Sequence, residues 1–239
     1  MMMKTLFKVT ALTLSASLLL SACQTTTNSN GEPLSPAEQR LRQQADTYNQ
    51  TIAEGALLGC VLGGVLGAAT AQKGNRLQHA AIGCAIGGGI GAGAGAYVAD
   101  KQEKYANKEQ QLDSMIADVR EENGRLANVI ATTEQVVAED KERIEQIDKD
   151  LAAGKITMDQ AKSKMASVDS NTAYLDSTLT ELRKRQANYT EAANTLAGKG
   201  KSAQAKELNS EIADMERQIS QLQAERDSLA KRRTVSRVG

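Results

Sequence analysis

The amino-acid sequence predicts an all-α protein, in which a glycine-zipper transmembrane helical hairpin is followed by a long antiparallel three-helix coiled coil. Two apolar segments between residues 55 and 99 carry glycine at every fourth position. The second half of the 239-residue chain has apolar residues at heptad spacing, which is typical of coiled coils. The chain has one Phe and no Trp, so the large aromatic core of a compact globular enzyme is not expected.

The first element is a secretory signal peptide over residues 1–22. Lys4 and Lys8 form a basic start, and an apolar run follows over residues 11–20. This order of a basic start and a short apolar run is typical of signal peptides rather than of a membrane-spanning helix. The chain is therefore expected to be exported.

The signal ends in the sequence LSAC at residues 20–23, which resembles the lipobox of bacterial lipoproteins. The resemblance implies cleavage before Cys23, with covalent lipid on Cys23 as the one attached group. The alternative is an ordinary signal peptide with a chance cysteine. In that family an Asp after the lipidated Cys favours the inner membrane, so Gln24 implies sorting to the outer membrane, with the C-terminal region in the periplasm.

Residues 23–34 are polar and contain Gly and Pro, which predicts a flexible tether. A short amphipathic helix is expected next. Ser35 and Glu38 have the spacing of a capping box, and Pro36 suits the first helical turn. We assign this helix and the hairpin to one unit over residues 35–100.

The hairpin consists of apolar segments at residues 55–71 and 80–99. Every fourth residue of a helix falls on nearly one face, and a face of glycine lets another helix approach closely, as in membrane helix pairs. The predicted helix-packing residues are Gly55, Gly59, Gly63, Gly67, Gly83, Gly87, Gly91 and Gly95.

These segments are short for a bilayer, at ~24 Å and ~28 Å as helices. They suit the bacterial outer membrane, which is thinner than average. Because Gly and Ala fill much of each segment, we expect insertion to depend on pairing of the segments or on oligomerisation. The alternative is a buried core hairpin in a soluble protein.

The loop between the two segments carries Lys73 and Arg76. In the outer membrane these would be candidate contacts to lipid phosphates, and in the inner membrane they would satisfy the positive-inside rule. A merely solvated loop is the third possibility. His79 has no second His and no nearby carboxylate in the sequence, so no metal site and no catalytic role are expected there.

Cys60 and Cys84 occupy equivalent positions in the two segments. In an antiparallel hairpin their axial offset is ~9 Å, beyond the ~7 Å limit for a disulfide. An intrachain bond is therefore not expected. Small apolar residues in a packed interface, a bond between subunits and further acylation stay open as roles.

Residues 20–23 together with residues 55–99 look like the glycine-zipper lipoproteins of the bacterial outer membrane, the group that includes the 17 kDa surface antigens. The resemblance implies an envelope-integrity or membrane-organising role without enzymatic activity. Those relatives usually carry a short, different C-terminal domain. This chain departs from them after Asp100, so the resemblance does not extend to its protein partners.

The periplasmic coiled coil is predicted over residues 101–233, with a loose tail over residues 234–239. The first helix is expected to run from Lys101 to a break at Gly154, with an apolar seam that begins at Leu112. A capping box at Thr157 and Gln160 starts the second helix, whose seam begins at Met158. Short connections favour antiparallel neighbours, which gives a slender rod projecting from the bilayer. Polar residues interrupt the apolar seams and are interpreted as register devices: Asn123, Asp140, Gln186 and Arg226.

The residues predict no nucleophile–base pair and no metal cluster, so catalysis and a small-molecule substrate are not expected. The formal net charge is zero, which gives no basis for nucleic-acid binding. We predict a homo-oligomeric envelope protein that contacts membrane lipid and binds other envelope proteins through its coiled coil. The alternatives are an adaptor in a transport or pore complex, and a signalling lipoprotein that docks a periplasmic domain.

Overall fold

The computed structural model describes residues 27, 31, 33–46, 90–197 and 202–238, and over these residues the regular secondary structure is all-helical. None of the helices in these ranges combines the length and the apolar character needed to cross a bilayer. Helix α3 is the longest of them, at 45 residues, or ~68 Å. The helices in this part of the chain are α1 (residues 36–46), α2 (Ile90–Lys104), α3 (Lys108–Ala152), α4 (Met158–Ala197) and α5 (Ala203–Thr234).

Both predicted capping boxes are confirmed. At the start of α1, the Glu38 backbone N–H donates to Ser35 Oγ at 3.2 Å, and the Ser35 N–H donates to Glu38 Oε2 at 2.6 Å. At the start of α4, the Gln160 N–H donates to Thr157 Oγ1 at 3.3 Å, and the Thr157 N–H donates to Gln160 Oε1 at 2.9 Å. Each box satisfies two N–H groups that have no partner within the helix.

The three long helices pack pairwise against one another. Arg120 of α3 contacts Glu211 of α5 at 2.7 Å, and Glu134 accepts from Gln221 at 3.2 Å. Because both residue numbers rise together, α5 runs parallel to α3. Asp140 of α3 accepts from Asn171 of α4 at 2.9 Å, whereas the earlier Glu122 pairs with the later Arg185 at 2.7 Å, so α4 is antiparallel to α3.

The core lies along the line where the three long helices meet. Every predicted seam residue of α3 from Leu112 to Ile147 is buried. The prediction for Met158 is wrong, since its side chain is 43% exposed at the first turn of α4. Helix α3 also buries a second, unpredicted stripe because other helices cover it on more than one side. The residues of this stripe are Gln111, Met115, Glu122, Val129, Thr132 and Val136.

The chain differs from the predicted continuous helix at residues 105–107, where α2 ends and α3 begins. The Asn107 side chain accepts from the Gln110 N–H at 2.9 Å and caps α3. Helix α2 then lies antiparallel to α3, with buried Ala94 and Val98 packed in a cluster contributed by α3, α4 and α5. The last part of the predicted membrane segment over residues 80–99 is therefore packed on the helical bundle, and α2 crosses the expected boundary at residue 100.

The C-terminal residues also differ from prediction, because they are docked rather than loose. Ser236 Oγ donates to Asp148 Oδ1 at 2.7 Å, and the Arg237 backbone N–H donates to the same oxygen at 2.9 Å. Val238 is buried and belongs to the main core cluster. These contacts close the end of the bundle formed by the last turns of α3 and α5.

Two glycines provide a matched test of the helix boundaries. Gly124 lies in mid-α3 with open space where an added methyl group would stand, whereas Gly154 has φ +67° in the α3–α4 turn. We expect Gly124→Ala to raise the free energy of unfolding by about 0.5–1 kcal/mol. Gly154→Ala is expected to lower it by about 1–2 kcal/mol, because a Cβ disfavours the left-handed conformation. Urea unfolding of the full chain followed by circular dichroism measures both, and a shift of the same sign in the two variants would contradict the assignment.

Candidate functional site

Helix α1 is held against α3 and α4 by a buried carboxylate. Glu38 is 2% exposed. Its Oε1 accepts from Asn171 Nδ2 at 2.7 Å and pairs with Arg143 Nη1 at 3.2 Å, while Ser167 Oγ lies 3.4 Å away. Its Oε2 accepts from the Ser35 N–H. Glu38 therefore caps α1 and docks it at the same time.

A second carboxylate completes this group. Asp140 of α3 is fully buried, and its Oδ1 pairs with Arg143 Nη1 at 2.8 Å. Its Oδ2 accepts from Asn171 Nδ2 at 2.9 Å. The amide of Asn171 has two N–H donors, and it uses them to bridge Glu38 and Asp140. We call these five residues the Glu38 cluster: Glu38, Asp140, Arg143, Ser167 and Asn171.

The Glu38 cluster contains two carboxylates and one guanidinium, so its charges do not cancel when both acids are ionised. Burial raises the pKa of Asp140 to about 6, and the charges of Glu38 and Glu139 act in the same direction, against the hydrogen bond from Asn171 and the charge of Arg143. Burial also opposes ionisation of Glu38, but the hydrogen bonds from Asn171 and the Ser35 backbone, together with Arg143, lower its pKa below the usual value. The chemistry that this arrangement supports is helix docking, with proton uptake by Asp140 near pH 6.

Further contacts along α1 join it to both α3 and α4. Thr132 of α3 donates to Gln44 Oε1 at 2.8 Å. On the α4 side, the Arg42 guanidinium lies 4.7 Å from the ring centroid of Tyr174, whose hydroxyl donates to Asp46 Oδ1 at 3.0 Å. Helix α1 therefore runs antiparallel to α3 in the groove between α3 and α4.

Helix α2 is fixed in the same groove by a tyrosine and a lysine. Tyr97 donates to Asp118 Oδ2 at 2.5 Å, and its ring meets the ring of Tyr189 of α4 edge to face, with centroids 5.6 Å apart. Lys101 is buried, with its Nζ 2.7 Å from Asp118 and 2.8 Å from Ser114. Tyr97 and Lys101 together compensate the carboxylate of Asp118.

Most of the predicted site residues lie outside the described residues: Cys23, Lys73, Arg76, the hairpin cysteines Cys60 and Cys84, and the six glycines from Gly55 to Gly87. Gly91 lies in the first turn of α2. Gly95 is described. It is exposed on α2, and a Cβ added there would meet no heavy atom within 4 Å. Its predicted close-packing helix partner is not among the helices that the structure describes.

Comparison with known proteins gives one match. Residues 54–105 match the family described as Glycine zipper, of the Omp type. The match covers both predicted zipper segments and extends through α2 to Tyr105. It indicates a protein associated with the outer membrane. No curated protein and no solved structure matches the chain.

Sequence reasoning misses the Glu38 cluster as a unit. The spacing identifies Glu38 only as a capping residue and Asp140 only as a polar interruption of a seam, and it gives Asn171 no role. The seam spacing points to Thr172, which is half-buried, whereas its neighbour Asn171 is buried. The one signal in the sequence is a charged residue, Asp140, in an otherwise apolar seam, because a buried charge needs a polar partner.

The raised pKa of Asp140 makes the stability of the bundle depend on pH. The pKa of Asp140 is 3.8 in the unfolded chain and about 6 in the folded protein. Asp140 therefore contributes stability at low pH, and this contribution is lost as pH rises through about 6. We expect this group to lower the free energy of unfolding by about 2 kcal/mol between about pH 4.5 and pH 7. Glu38 acts in the opposite sense, since its lowered pKa contributes stability that is lost only at more acidic pH.

Asp140→Asn is expected to remove this fall, because the side chain stays neutral throughout. The measurement is urea unfolding of the full chain at several pH values between about 4.5 and 7, the range set by the Asp140 shift. Asp176→Asn is the matched control, since it makes the same change at a half-exposed aspartate of α4 that pairs with Arg226 at 2.9 Å. An unchanged pH slope in the Asp140 variant would contradict this assignment.

Proposed function

We propose that this chain is a non-enzymatic, lipid-anchored envelope protein of the outer membrane. In this proposal Cys23 carries the lipid, the glycine-zipper hairpin inserts and oligomerises, and the long helices form a periplasmic coiled coil that binds other envelope proteins. Its role is to organise or stabilise the membrane.

The observation that carries the proposal is the match of residues 54–105 to the Glycine zipper family. The match falls on the two apolar segments in which glycine recurs at every fourth position. Such spacing lets helices approach to backbone contact, where packing and not water exclusion drives association. The lipobox-like sequence over residues 20–23 supplies an independent membrane signal, since stable anchoring of a peripheral protein takes more than one attachment.

The described helices support a binding role for the rest of the chain. Helices α3, α4 and α5 present long faces of alternating charge, with ion pairs between helices such as Arg226 with Asp176 and Arg233 with Asp169. Exposed pairs of this kind contribute little stability, but they set the register and choice of partners in helical assemblies. A long, rigid, charged helical body suits contact with other proteins better than it suits small-molecule chemistry.

The lipid anchor is tested by replacing the residue that would carry it. We expect Cys23→Ala to remove the protein from the outer-membrane fraction, because the lipidated cysteine directs sorting to that membrane in the lipoproteins that this N-terminus resembles. Cys60→Ala is the matched control, since it removes a cysteine outside the lipobox and should leave fractionation unchanged. Outer-membrane residence of the Cys23 variant, or inner-membrane residence of the native protein, would overturn the proposed anchor and location.

The zipper is tested by filling its glycine face. Gly63→Leu combined with Gly87→Leu should abolish oligomers detected by cross-linking in membranes, because two leucine side chains prevent close helix approach. Gly124→Leu provides the control, since Gly124 lies on the exposed side of α3 with open space around it. Oligomers of unchanged mass in the double variant would show that the zipper does not drive assembly.

A further inference from the structure

Helices α1 and α2 lie one after the other in the same groove and run in the same direction. Both lie in the groove between α3 and α4, and both run antiparallel to α3. Gln44 of α1 meets Thr132, and Tyr97 of α2 meets Asp118, which lies ~21 Å back along α3. On α4, the two helices meet Tyr174 and Tyr189.

The gap between the two helices is short compared with the chain that joins them. The two helical residues that lead up to residue 46 and the seven that lead away from residue 90 take up ~13.5 Å of this ~21 Å distance. About 7.5 Å of groove is left, which is room for about five helical residues. The joining segment, residues 47–89, has 43 residues. This segment is therefore much longer than the groove between α1 and α2 can hold as a helix, and the described residues on either side of it lie halfway along the bundle, on the side formed by α1 and α2.

The N-terminal tether adds a second attachment on that side. Leu34 is buried on the bundle, and the adjoining Ser35 donates to Glu139 of α3 at 2.6 Å. Eleven residues separate Cys23 from Leu34 and span at most about 40 Å. If the rod stood upright with its Lys108 end on the bilayer, Glu139 would lie about 47 Å above it, which is beyond the reach of the tether.

The opposite upright orientation fails at the hairpin. With the Ala152 end on the bilayer, the level of Thr132 lies about 30 Å above the surface, and the level at which α2 begins lies about 40 Å above it. The second apolar segment continues into α2 without an intervening polar linker. It therefore has no chain with which to descend to the membrane from that height.

We infer that the helical bundle lies along the membrane surface, with the α1–α2 face turned toward the lipid. This orientation lets both the tether and the joining segment reach the bilayer. It rests on the proposed lipid anchor and hairpin insertion, and it replaces the rod projecting from the bilayer that the sequence suggested.

The chemistry of the α1–α2 face fits a lipid surface. Among the described residues from α1 to Ala99 of α2, Arg40 is the one exposed charged residue. The exposed charges of α2 lie at its C-terminal end, where Glu103 and Lys104 are exposed and Lys104 pairs with Asp100. Bringing uncharged groups close to lipid avoids the desolvation cost of charges. The outward face of α5 is different, since charged residues recur along its length. The exposed charged residues of α5 are Lys206, Glu207, Glu216, Arg217, Asp227 and Lys231.

Four exposed alanines allow a direct test in the full lipidated chain. Ala106 and Ala153 lie at opposite ends of α3, and Ala99 and Ala224 lie on α2 and α5. Each is changed in turn to Cys, with the two hairpin cysteines replaced by Ser, and labelled with a fluorescent donor. The protein is reconstituted in phosphatidylethanolamine–phosphatidylglycerol vesicles that carry acceptor-labelled lipid, and energy transfer to the surface is measured.

We expect equal energy transfer from Ala106→Cys and Ala153→Cys, because both ends of α3 would lie at the same height. We expect roughly twofold or more energy transfer from Ala99→Cys than from Ala224→Cys, because about two helix diameters separate the outer surface of α2 from that of α5. Strongly unequal transfer at the two ends, with normal vesicle binding, would overturn the orientation while leaving the proposed function intact. Equal transfer at all four positions would also overturn it, since the bundle would then have no preferred face. Failure of the labelled protein to float with vesicles would instead overturn the proposed membrane anchoring.

Discussion

The arrangement of the protein depends on the compensation of one buried carboxylate. Glu38 carries a charge into the contact between α1 and the bundle, where burial without partners would cost several kcal/mol. Asn171, Arg143 and the Ser35 backbone provide the compensation from three different segments. Because these partners must all be in place for Glu38 to be buried, α1 has one docking position and not a range of sliding ones.

That single position has consequences for everything N-terminal to the bundle. It sets where the tether from Cys23 ends and where the chain departs toward its glycine-rich segment. Helix α2 repeats the same strategy with Tyr97, Lys101 and Asp118. The groove between α3 and α4 is therefore specified by polar contacts at both ends, while apolar residues such as Leu126 and Leu179 supply the burial between the long helices.

Local features of the chain are predictable because their physics is local. The capping boxes at Ser35 and Thr157 depend on residues three apart, and the seam of α3 follows from a repeat in one helix. The break at residues 105–107 is harder to predict, because no Gly or Pro marks it. The packing of Tyr97 and Lys101 against α3 and α4 shows the reversal of the chain. The role of Asn171 is hidden for a similar reason, since the two carboxylates to which it donates lie 31 and 133 residues away.

The parallel pairing of α3 with α5 has a consequence for how the chain can be shortened. Several of their contacts keep a sequence separation of 87 or 88 residues, as in Glu134 with Gln221 and Asp148 with Ser236. Such contacts have high contact order and form only after α4 has reversed the chain between them. A nonsense codon before α5 would leave the apolar residues of α3 that face α5 exposed to water. The truncated chain would then be misfolded and a substrate for quality-control proteases, not a shorter folded protein.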